Sequence, residues 1–496
     1  MTLAPILLWL RRDLRLADHE ALCAALASAV PVIPLFIRDG QVDSLGAASK
    51  QRLGLGLAEL DRALRARGSK LVLRSGDAEA TLRGLVAETG AQAVHWTRMY
   101  DPDAVARDTR VKASLGRQGI EANSYPGSVL FEPWTVATAQ GDPYRVFTPF
   151  WRAVRGRDPG SPLTIPSAIP GPERWPASET LASWRLDAAM GRGAGVLEKH
   201  LHPGEAAAQN LLSRFIAEKI GAYGSARDFP AASATSGLSE PLAHGEISPR
   251  QVWTAGVRAL EAGVSGAEAF LRELGWREFA YHLMYHMPRM LTANWREDWD
   301  HFPWRTDADA PEVQAWTQGR TGEPFVDAAM RELWVTGRMH NRTRMVVASY
   351  LTKHLLVDWR IGRDVFARML ADWDPAANAL GWQWVAGSGP DAAPYFRVFN
   401  PATQAAKFDP DGAYRDAWIA EGRADPPETA LDYFEAVPLS WGLSPEARYP
   451  DPVVELTAGR ARALAAYDAF RTGRQHPAGG GPRSGDNHLH GSEPPR

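Results

Sequence analysis

The 496-residue sequence contains one cysteine, Cys23. A single thiol excludes an internal disulfide and an all-cysteine metal site, and it fits a reducing, cytoplasmic setting. The sequence also lacks any uncharged apolar run of the ~20 residues that a membrane-spanning helix requires. Its first apolar run, Ala4 to Leu10, precedes the nearest arginines, whereas the positive charge of a signal peptide comes before the apolar run. We therefore expect a cytoplasmic protein without a membrane role.

A large excess of either charge is absent as well. The chain has 55 Lys and Arg residues against 58 Asp and Glu residues, a net charge of -3. The overall electrostatic field therefore gives no reason to expect a polyanion as partner, and any nucleic-acid site has to be a local basic patch. With 496 residues, 45% of them hydrophobic, the chain is long enough, and apolar enough, for two or three packed domains.

Several common ligand-binding motifs are missing. We find no Walker loop, no nucleophile elbow and no cysteine-pair motif. The stretch GLGLAE, residues 54–59, lacks a third glycine and lies inside a helical pattern instead of following a strand. His282 and His286 have the spacing of a zinc-binding helix, but no glutamate follows His282 and no third ligand is evident. We expect these histidines to be core or surface residues, and we expect no metal site.

Short β-type runs alternate with helix-period segments from residue 5 to about residue 131. The predicted strands are Pro5–Leu10, Val32–Ile37, Leu71–Arg74 and Ala93–Trp96, and the clearest helices are Gln51–Arg67 and Ala78–Thr89. This alternation predicts βαβ units on a parallel sheet, in which ligands bind at the carboxyl ends of the strands. We assign residues 1–131 to a Rossmann-like α/β domain.

The remainder of the chain changes character twice. Residues 132–198 are rich in Pro, Gly, Ser and Ala, which predicts a long ordered linker. Residues 199–475 have helical periodicity, including a capping box at Ser248 and Gln251 and a nearly all-apolar helix from Met345 to Val357. Residues 476–496 contain few apolar side chains, which predicts a disordered tail. The fold class is thus α/β plus all-α.

A polar cluster is predicted inside the helical domain. Asn341, Arg342 and Arg344 begin a helix whose later part is apolar, and Asp372 and Asp374 follow in the segment ADWD. Buried arginines need carboxylate partners, so an ion pair that only holds the core together is one interpretation. A ligand site is the alternative, because perturbed charges also cluster at functional sites.

Residues Ala234 to Ser248, ATSGLSEPLAHGEIS, precede and begin a predicted helix with Pro241 in its first turn. Hydroxyl groups, a glycine and free backbone N–H groups at such a place suit a phosphate or pyrophosphate. An ordinary capped loop is the competing interpretation.

The sequence is rich in tryptophan, with 19 residues. Core packing explains any single one of them. An indole is nevertheless easily oxidised, so a row of tryptophans can carry an electron to an acceptor. Several lie in the helical domain, including Trp382 and Trp384 in NALGWQW.

Seven motifs in order along the chain resemble the photolyase and cryptochrome flavoproteins, and most of all the bacterial class I photolyases of cyclobutane pyrimidine dimers. The motifs are LLWLRRDLRLADHEAL, VFTPFWRA, TSGLSEPLAHGEIS, LGWREF, GRTGEPFVDAAMREL, RMHNRTRM and NALGWQWVAGSGPDAAPYFRVFNP. The resemblance extends from about residue 5 to about residue 470. It implies a light-driven lyase that repairs UV-damaged DNA with FAD in its helical domain.

The resemblance implies roles for individual residues. Those matching the family's FAD contacts are Tyr223, Thr235, Ser236, Gly237, Leu238, Ser239, Asn341, Arg344, Asp372, Asp374 and Asn378, the last facing the reactive ring nitrogen of the flavin. Those matching contacts to the extruded dimer, as expected for a base-flipping protein, are Glu273, Trp276, Asn341, Met345 and Trp384. DNA-backbone contacts would come from Arg227, Arg277, Arg342 and Arg397, with Lys407 as a weaker candidate. The electron chain would be Trp382, Trp359 and Trp304.

Some positions depart from the family pattern. Arg338 stands where the family usually has tryptophan, and Ala379 and Leu380 replace a more usual small or polar pair. Asp103 and Ala104 stand where some relatives have the Asn-Glu pair of a folate antenna. The resemblance makes residues 1–131 an antenna-type domain. Its second chromophore is unassigned: a deazaflavin, methenyltetrahydrofolate, a flavin and no antenna at all stay open.

The resemblance leaves alternatives for the function. The closest is a cryptochrome, a photoreceptor without repair activity, which would be expected to lose Glu273, Trp276 or Asn378 or to carry a long signalling tail. A six-four photolyase usually has histidines at Asn341 and Met345, and a dark flavin oxidoreductase needs a nicotinamide site that is not evident. We expect a monomer whose partner is DNA that contains pyrimidine dimers.

Overall fold

The computed structural model describes residues 3–391 and 396–475. Five parallel strands form one sheet in the order β3-β2-β1-β4-β5. The strands are β1 Ile6–Leu10, β2 Val32–Arg38, β3 Val72–Ser75, β4 Ala93–Thr97 and β5 Glu121–Tyr125. Four of them were predicted. The fifth was missed because its sequence, EANSY, is polar and only half buried, as suits a strand at the edge of a sheet.

Helices cover both faces of the sheet. The helices between and directly after the strands are α1 Glu20–Ala27, α2 Gly40–Asp43, α3 Ala47–Arg65, α4 Ala78–Thr89 and α5 Pro102–Gly116. After the last strand follow α6 Phe147–Val154 and α7 Ala194–Glu198. Alternate residues of β1 point to opposite faces: Leu8 packs in one core with α1 and α3, and Leu7 in another with α4 and α5. Continuously apolar strands are the expected consequence of burial on both faces.

The predicted linker contains two α-helices that its composition does not indicate, α6 and the five-residue α7. Helix α6 buries Phe147, Phe150, Trp151 and Val154 on one face. Most of the surrounding segment is irregular, although Trp184 and Leu186 pack into the core of the α/β domain. The boundaries at residues 131 and 198 stay predictions.

The rest of the described chain is helical. It contains α8 Glu205–Arg214, α9 Tyr223–Ala226, α10 Ser239–His244, α11 Pro249–Glu261, α12 Ala267–His286, α13 Pro311–Thr317, α14 Pro324–Thr336, α15 Asn341–Ser349, α16 Trp359–Met369, α17 Pro375–Ala386, α18 Pro401–Phe408, α19 Ala413–Trp418, α20 Glu428–Ala436 and α21 Leu456–Gln475. The capping box at Ser248 is confirmed. The apolar segment after Met345 is a buried helix, with a π-helical turn at Tyr350–His354.

Helix α3 joins the two parts of the molecule. The backbone of Gly46 approaches α16 so closely that a Cβ atom there would lie 1.9 Å from the carbonyl oxygen of Ala367. Arg52, fully buried on α3, bonds to Glu246 at 2.8 Å and also pairs with Glu240 of α10. Leaving any of these buried charges unpaired would cost about 3–5 kcal/mol, so the network fixes the position of α10 against the sheet domain.

Within the described ranges, no helix is long and apolar enough to cross a membrane. The tail at residues 476–496 lies outside the described residues, as do residues 392–395 of the last motif.

Candidate functional site

Three helices of the C-terminal part are joined by the packing of α17. Helix α17 contacts both α12 and α15. These helices carry the predicted dimer contacts Glu273 and Trp276 (α12), Asn341 and Met345 (α15), and Trp384 (α17). The fold therefore brings together residues that are more than 100 positions apart in the sequence.

One ion pair of the predicted polar cluster, Arg344 with Asp372, forms in the structure, whereas Arg342 pairs with Asp228 instead. Arg344 donates to Asp372 Oδ2 at 2.7 Å and to the carbonyl oxygen of Met339 at 2.8 Å. The other carboxylate oxygen of Asp372, Oδ1, is buried and has no hydrogen-bond partner among the described residues. Because buried polar atoms are normally paired, this oxygen is an open acceptor for the N–H or O–H group of a ligand.

Asp374 and Asn378 lie one turn apart at the start of α17. Asp374 caps the helix by accepting from the N–H of Ala377 at 2.8 Å, and its second oxygen accepts from the hydroxyl of Tyr281 at 2.5 Å. Asn378 donates through Nδ2 to the carbonyl oxygen of Arg363 at 3.1 Å. That bond fixes the amide and leaves its Oδ1 available as an acceptor. Sequence reasoning missed Tyr281, which lies five residues after Trp276 in the same motif-bearing helix.

The predicted phosphate loop precedes a short helix, as expected. Gly237 has a φ of 68°, a left-handed conformation that glycine adopts without strain. Ser236 Oγ accepts from the N–H of Leu238 at 3.3 Å, while Thr235 and Ser239 are exposed. Exposed hydroxyl and backbone donors are thus available to a phosphate at this loop. Tyr223, which was predicted to contact the same ligand, is buried on α9, with the guanidinium of Arg227 5.5 Å from its ring centroid.

The predicted dimer contacts are held by neighbours. Glu273 pairs with Arg227, and both are about one-third exposed. The indole of Trp276 stacks on the ring of Phe147 of α6, with centroids 3.7 Å apart and planes 9° apart. Phe147 was missed as an individual residue, although it lies in the motif VFTPFWRA. Its ring fixes the orientation of Trp276.

The remaining two positions are on α15. Asn341 is exposed at the first position of the helix, and Met345, one turn later, is half buried. Asn341 can therefore offer its amide to a bound group, and Met345 can offer an apolar contact.

The predicted electron chain lies on adjoining elements. Trp382 of α17 is buried against Gly362 of α16, where a Cβ atom would lie 2.0 Å from the indole. Trp359 begins α16, one turn before Gly362, and donates to Asn294 Oδ1 at 2.9 Å. Trp304 is 9% exposed and precedes Arg305, which forms a parallel bridge with Val357. The three indoles therefore lie on α17, on α16 and on a segment bridged to the residues just before α16, and their role as an electron chain stays a prediction.

An aromatic cluster surrounds Trp304 that sequence reasoning did not single out. The ring of Trp299 lies 5.7 Å from that of Trp304 and 5.0 Å from that of Phe302. Lys353, fully buried, places its Nζ 3.4 Å from the centroid of Phe396, and burial lowers the pKa of this amine well below its ordinary value. The close spacing of aromatic residues in EDWDHFPWR was the sequence pattern from which this cluster could have been predicted.

Comparisons with known proteins agree on one family. A family model for DNA photolyase matches residues 6–169, and one for the FAD binding domain of DNA photolyase matches residues 270–469. The deoxyribodipyrimidine photo-lyase of Agrobacterium fabrum is 45% identical over 478 residues, which cover 94% of this chain and 98% of that protein. The chain belongs to the DNA photolyase family.

A solved structure and a photoreceptor extend the comparison. The crystal structure of a bacterial class III photolyase from Agrobacterium tumefaciens matches with a TM-score of 0.86 and 44% identity, covering 95% of this chain and 98% of that chain. Cryptochrome-1 of Arabidopsis thaliana is 34% identical, covering 92% of this chain and 69% of that protein. The family resemblance and the two-part fold are confirmed, and the more specific assignment to class I stays a prediction.

Arg338, which departs from the photolyase pattern, binds a carboxylate that it shares with a second arginine. Its Nε donates to Glu240 Oε2 at 2.7 Å, and Glu240 also pairs with Arg52. Burial opposes ionisation of Glu240, but the two arginines offset that effect and lower its pKa. Because Glu240 directly follows Ser239, Arg338 ties the start of α15 to the phosphate loop of this photolyase-family chain.

The predicted DNA-binding arginines mostly have carboxylate partners within the protein. Arg227 pairs with Glu273, Arg277 with Glu278 at 3.0 Å and Arg342 with Asp228 at 2.7 Å. Arg397 and Lys407 are exposed. The roles of all five in DNA binding stay predictions.

A cavity of about 370 Å³ separates the sheet domain from the helical part. Its walls include Arg11, Phe36, Asp103 and Trp373, and it extends to Asn378. Ala104, the second of the antenna positions, is fully buried and does not line it. The cavity lies at the carboxyl ends of β2 and β4, where a parallel sheet binds ligands.

Among the described residues, no group of three or more histidine, cysteine or acidic side chains is arranged to hold a metal ion. His282 accepts from the backbone N–H of Tyr144 at 3.0 Å, and His286 donates to the carbonyl oxygen of Pro133 at 3.1 Å. The i,i+4 pair is thus engaged in structural hydrogen bonds.

His244, next to the phosphate loop, gives a pH prediction. Burial, together with the charge of Arg52, lowers its pKa from 6.5 to about 3. Between those values the unfolded chain binds a proton that the folded chain does not, so stability falls as the pH falls, by about 1.4 kcal/mol per pH unit. We expect His244→Gln to reduce the loss of apparent unfolding free energy between pH 7 and pH 5 by about 2 kcal/mol. Urea titrations at both pH values measure this, and an unchanged loss would contradict it.

Proposed function

We propose that this chain repairs UV-damaged DNA by splitting cyclobutane pyrimidine dimers in a light-dependent reaction. The observation that supports the proposal is the packing of α17 against both α12 and α15, the three helices that carry Asn378, Glu273 and Asn341. Proteins named deoxyribodipyrimidine photo-lyases match the chain over nearly their whole length. The chain is therefore a carbon–carbon lyase acting on DNA.

The polar cluster fits FAD as the resident cofactor. The open acceptor on Asp372 suits an N–H donor of the flavin, Arg344 beside it supplies positive charge, and the loop around Ser236 offers donors to the pyrophosphate. When bound, reduced FAD supplies light absorption and the electron that splits the dimer. The protein contributes position and electrostatics, with Asn378 held by its bond to the carbonyl oxygen of Arg363.

The chain's residues hold the extruded dimer between a polar side and an aromatic side. Glu273 accepts from the imide N–H of a pyrimidine, and the amide of Asn341 bonds to a carbonyl oxygen. Trp276, supported by Phe147, and Trp384 pack against the bases and exclude water. A dimer already stacks poorly in the duplex, which lowers the cost of flipping it.

The cavity between the domains is the place for a second, antenna chromophore. Its walls combine the aromatic side chains of Phe36 and Trp373 with the charges of Arg11 and Asp103. This mixture suits a planar ring that carries polar substituents, and both a deazaflavin and a folate have that character. The absorption spectrum of the chromophores released from purified protein distinguishes them.

The protein acts as a monomer in the cytoplasm, and it needs no metal. Its single cysteine suits a reducing compartment. A cryptochrome-type photoreceptor is the alternative, favoured by a match to such a protein that covers 92% of this chain. Against it, the chain keeps Glu273, Trp276 and Asn378.

Lesion recognition in the dark tests the proposal. We expect FAD-loaded protein to bind a duplex with one thymine dimer about 10³-fold more tightly than the undamaged duplex. Trp276→Ala should weaken dimer binding by about 5- to 150-fold, because a stacked base is worth about 1–3 kcal/mol. Trp134→Ala, which removes an exposed indole of the linker, is the matched control. Equal affinity for both duplexes would reject repair and favour the photoreceptor.

A further inference from the structure

The exposed side of α6 carries unpaired positive charge. Arg152 and the C-cap residue Arg155 are exposed beside the buried face of the helix, and Arg145 is exposed just before the helix begins. From residue 143 to residue 157 the sequence has four arginines and no acidic residue. At 100° per residue, Arg152 and Arg155 lie about 60° apart around the axis, on one side of the helix.

The first turn of α6 lies at the rim of the proposed dimer site. The ring of Phe147 stacks on Trp276 of α12 at 3.7 Å. The backbone N–H of Phe147 also donates to the carboxylate of Asp391, in the segment that follows α17. Helix α6 is thereby fixed between the helix that carries Glu273 and the segment after the helix that carries Trp384.

One arginine of α12 joins Arg145, Arg152 and Arg155 on this surface. The guanidinium of Arg272 lies 5.6 Å from the centroid of Phe147, and the residue is exposed. We call Arg145, Arg152, Arg155 and Arg272 the α6 ridge. Within residues 3–391 and 396–475, none of the four forms an ion pair with a carboxylate.

The α6 ridge differs in this respect from most of the arginines that sequence reasoning assigned to DNA. Arg227, Arg277 and Arg342 each have a carboxylate partner in the protein. To bind a phosphate, such an arginine must share its donors or lose an existing ion pair. The guanidinium groups of the α6 ridge have all their donors free, in the fork geometry that matches phosphate oxygens.

We propose that the α6 ridge binds the DNA backbone beside the flipped dimer, a proposal that rests on the function given above. Along the helix axis, Arg152 lies about 7.5 Å beyond Phe147 and Arg155 about 12 Å beyond it. Successive phosphates of one strand advance by about 3.4 Å along a duplex, so these arginines reach a stretch of roughly two to four nucleotides next to the lesion. They position the DNA and carry no sequence preference.

The alternative is that these arginines lie on a solvated helix face and do not contact DNA. The salt dependence of DNA affinity distinguishes the two interpretations. Each phosphate contact contributes about 0.9 to the slope of log affinity against log salt concentration. For the double variant Arg152→Gln/Arg155→Gln, the slope should therefore fall by about 1.8, and affinity in 0.1 M salt should fall by about 10- to 60-fold. FAD-loaded protein and a duplex with one thymine dimer are titrated between 0.05 and 0.2 M KCl, roughly the range over which backbone contacts dominate.

Two further variants control the measurement. Arg110→Gln/Arg117→Gln removes the same charge from exposed positions at α5, where neither arginine has an ion pair, and should leave the slope unchanged. Arg152→Lys/Arg155→Lys retains the charge and should restore most of the slope. A glutamine double variant with the wild-type slope, or an equal fall in the α5 variant, would overturn the proposal.

Failure of the ridge and failure of the proposed function give different results. If wild-type protein does not prefer the dimer duplex, lesion recognition fails, while the slope measured on undamaged duplex still tests the ridge. If the ridge proposal holds, the glutamine double variant retains its FAD content and, at saturating DNA, repairs as many dimers per absorbed photon as wild type.

Discussion

Trp382→Phe is expected to abolish light-driven reduction of oxidised FAD and to leave repair by chemically reduced protein unchanged. The indole of Trp382 packs against Gly362 of α16, one turn from Trp359, so it lies beside a second member of the predicted chain. Phenylalanine is much harder to oxidise than tryptophan. A penalty of only about 4 kcal/mol on electron transfer slows it by roughly three orders of magnitude.

The change in flavin absorbance under continuous blue light with an external electron donor measures this. Trp253→Phe is the matched control, since Trp253 is a buried indole of a different cluster. FAD content and the circular dichroism spectrum must match wild type, because the smaller ring leaves a cavity. Photoreduction of Trp382→Phe at the wild-type rate would remove this residue from the electron path.

Asp372→Ala is expected to weaken FAD binding by roughly 10- to 150-fold, since a hydrogen bond to a charged group is worth about 1.5–3 kcal/mol. The change removes the buried acceptor and leaves Arg344 without its carboxylate. Asp372→Asn, which keeps the shape and one acceptor, should give an intermediate loss.

The FAD content per chain and the fluorescence of FAD released on dilution measure the loss, independently of activity. Asp416→Ala is the control, because Asp416 forms a comparable ion pair with Arg423 on the surface. If Asp372→Ala kept its full complement of FAD, the polar cluster would only stabilise the fold.

Local patterns predicted much of the fold. β1 and β2 are buried, nearly continuous apolar runs, and β3 and β4 contain shorter β-type runs, so four of the five strands were found. β5 escaped because its residues face solvent, and α6 because proline-rich surroundings masked a short amphipathic turn. In both cases the signal was too short or too polar to stand out from a loop.

The candidate site was predictable where opposite charges stood in segments that are near each other in the sequence. Arg344 and Asp372 were matched as opposite charges in neighbouring segments, and they pair. The bond between Tyr281 and Asp374, the stack of Phe147 on Trp276 and the link from Arg338 to Glu240 join distant segments. No local pattern encodes such pairs, because only tertiary packing brings them together.

The same limit applies to charge. From the sequence, Arg227 and Arg342 were as good candidates for phosphate contact as any exposed arginine. The structure pairs both with carboxylates. The arginines of α6 were not predicted to contact DNA, because the segment around them has the composition of a linker. Which cations are free to bind a partner is a property of the folded surface.

The most direct test of the central claim is repair of one defined thymine dimer in an oligonucleotide by FAD-loaded, chemically reduced protein. The account predicts that blue light restores intact thymines, over more than one turnover per chain, and that darkness restores none. If no thymines reappear in the light while FAD stays bound and reduced, the chain is not a repair enzyme.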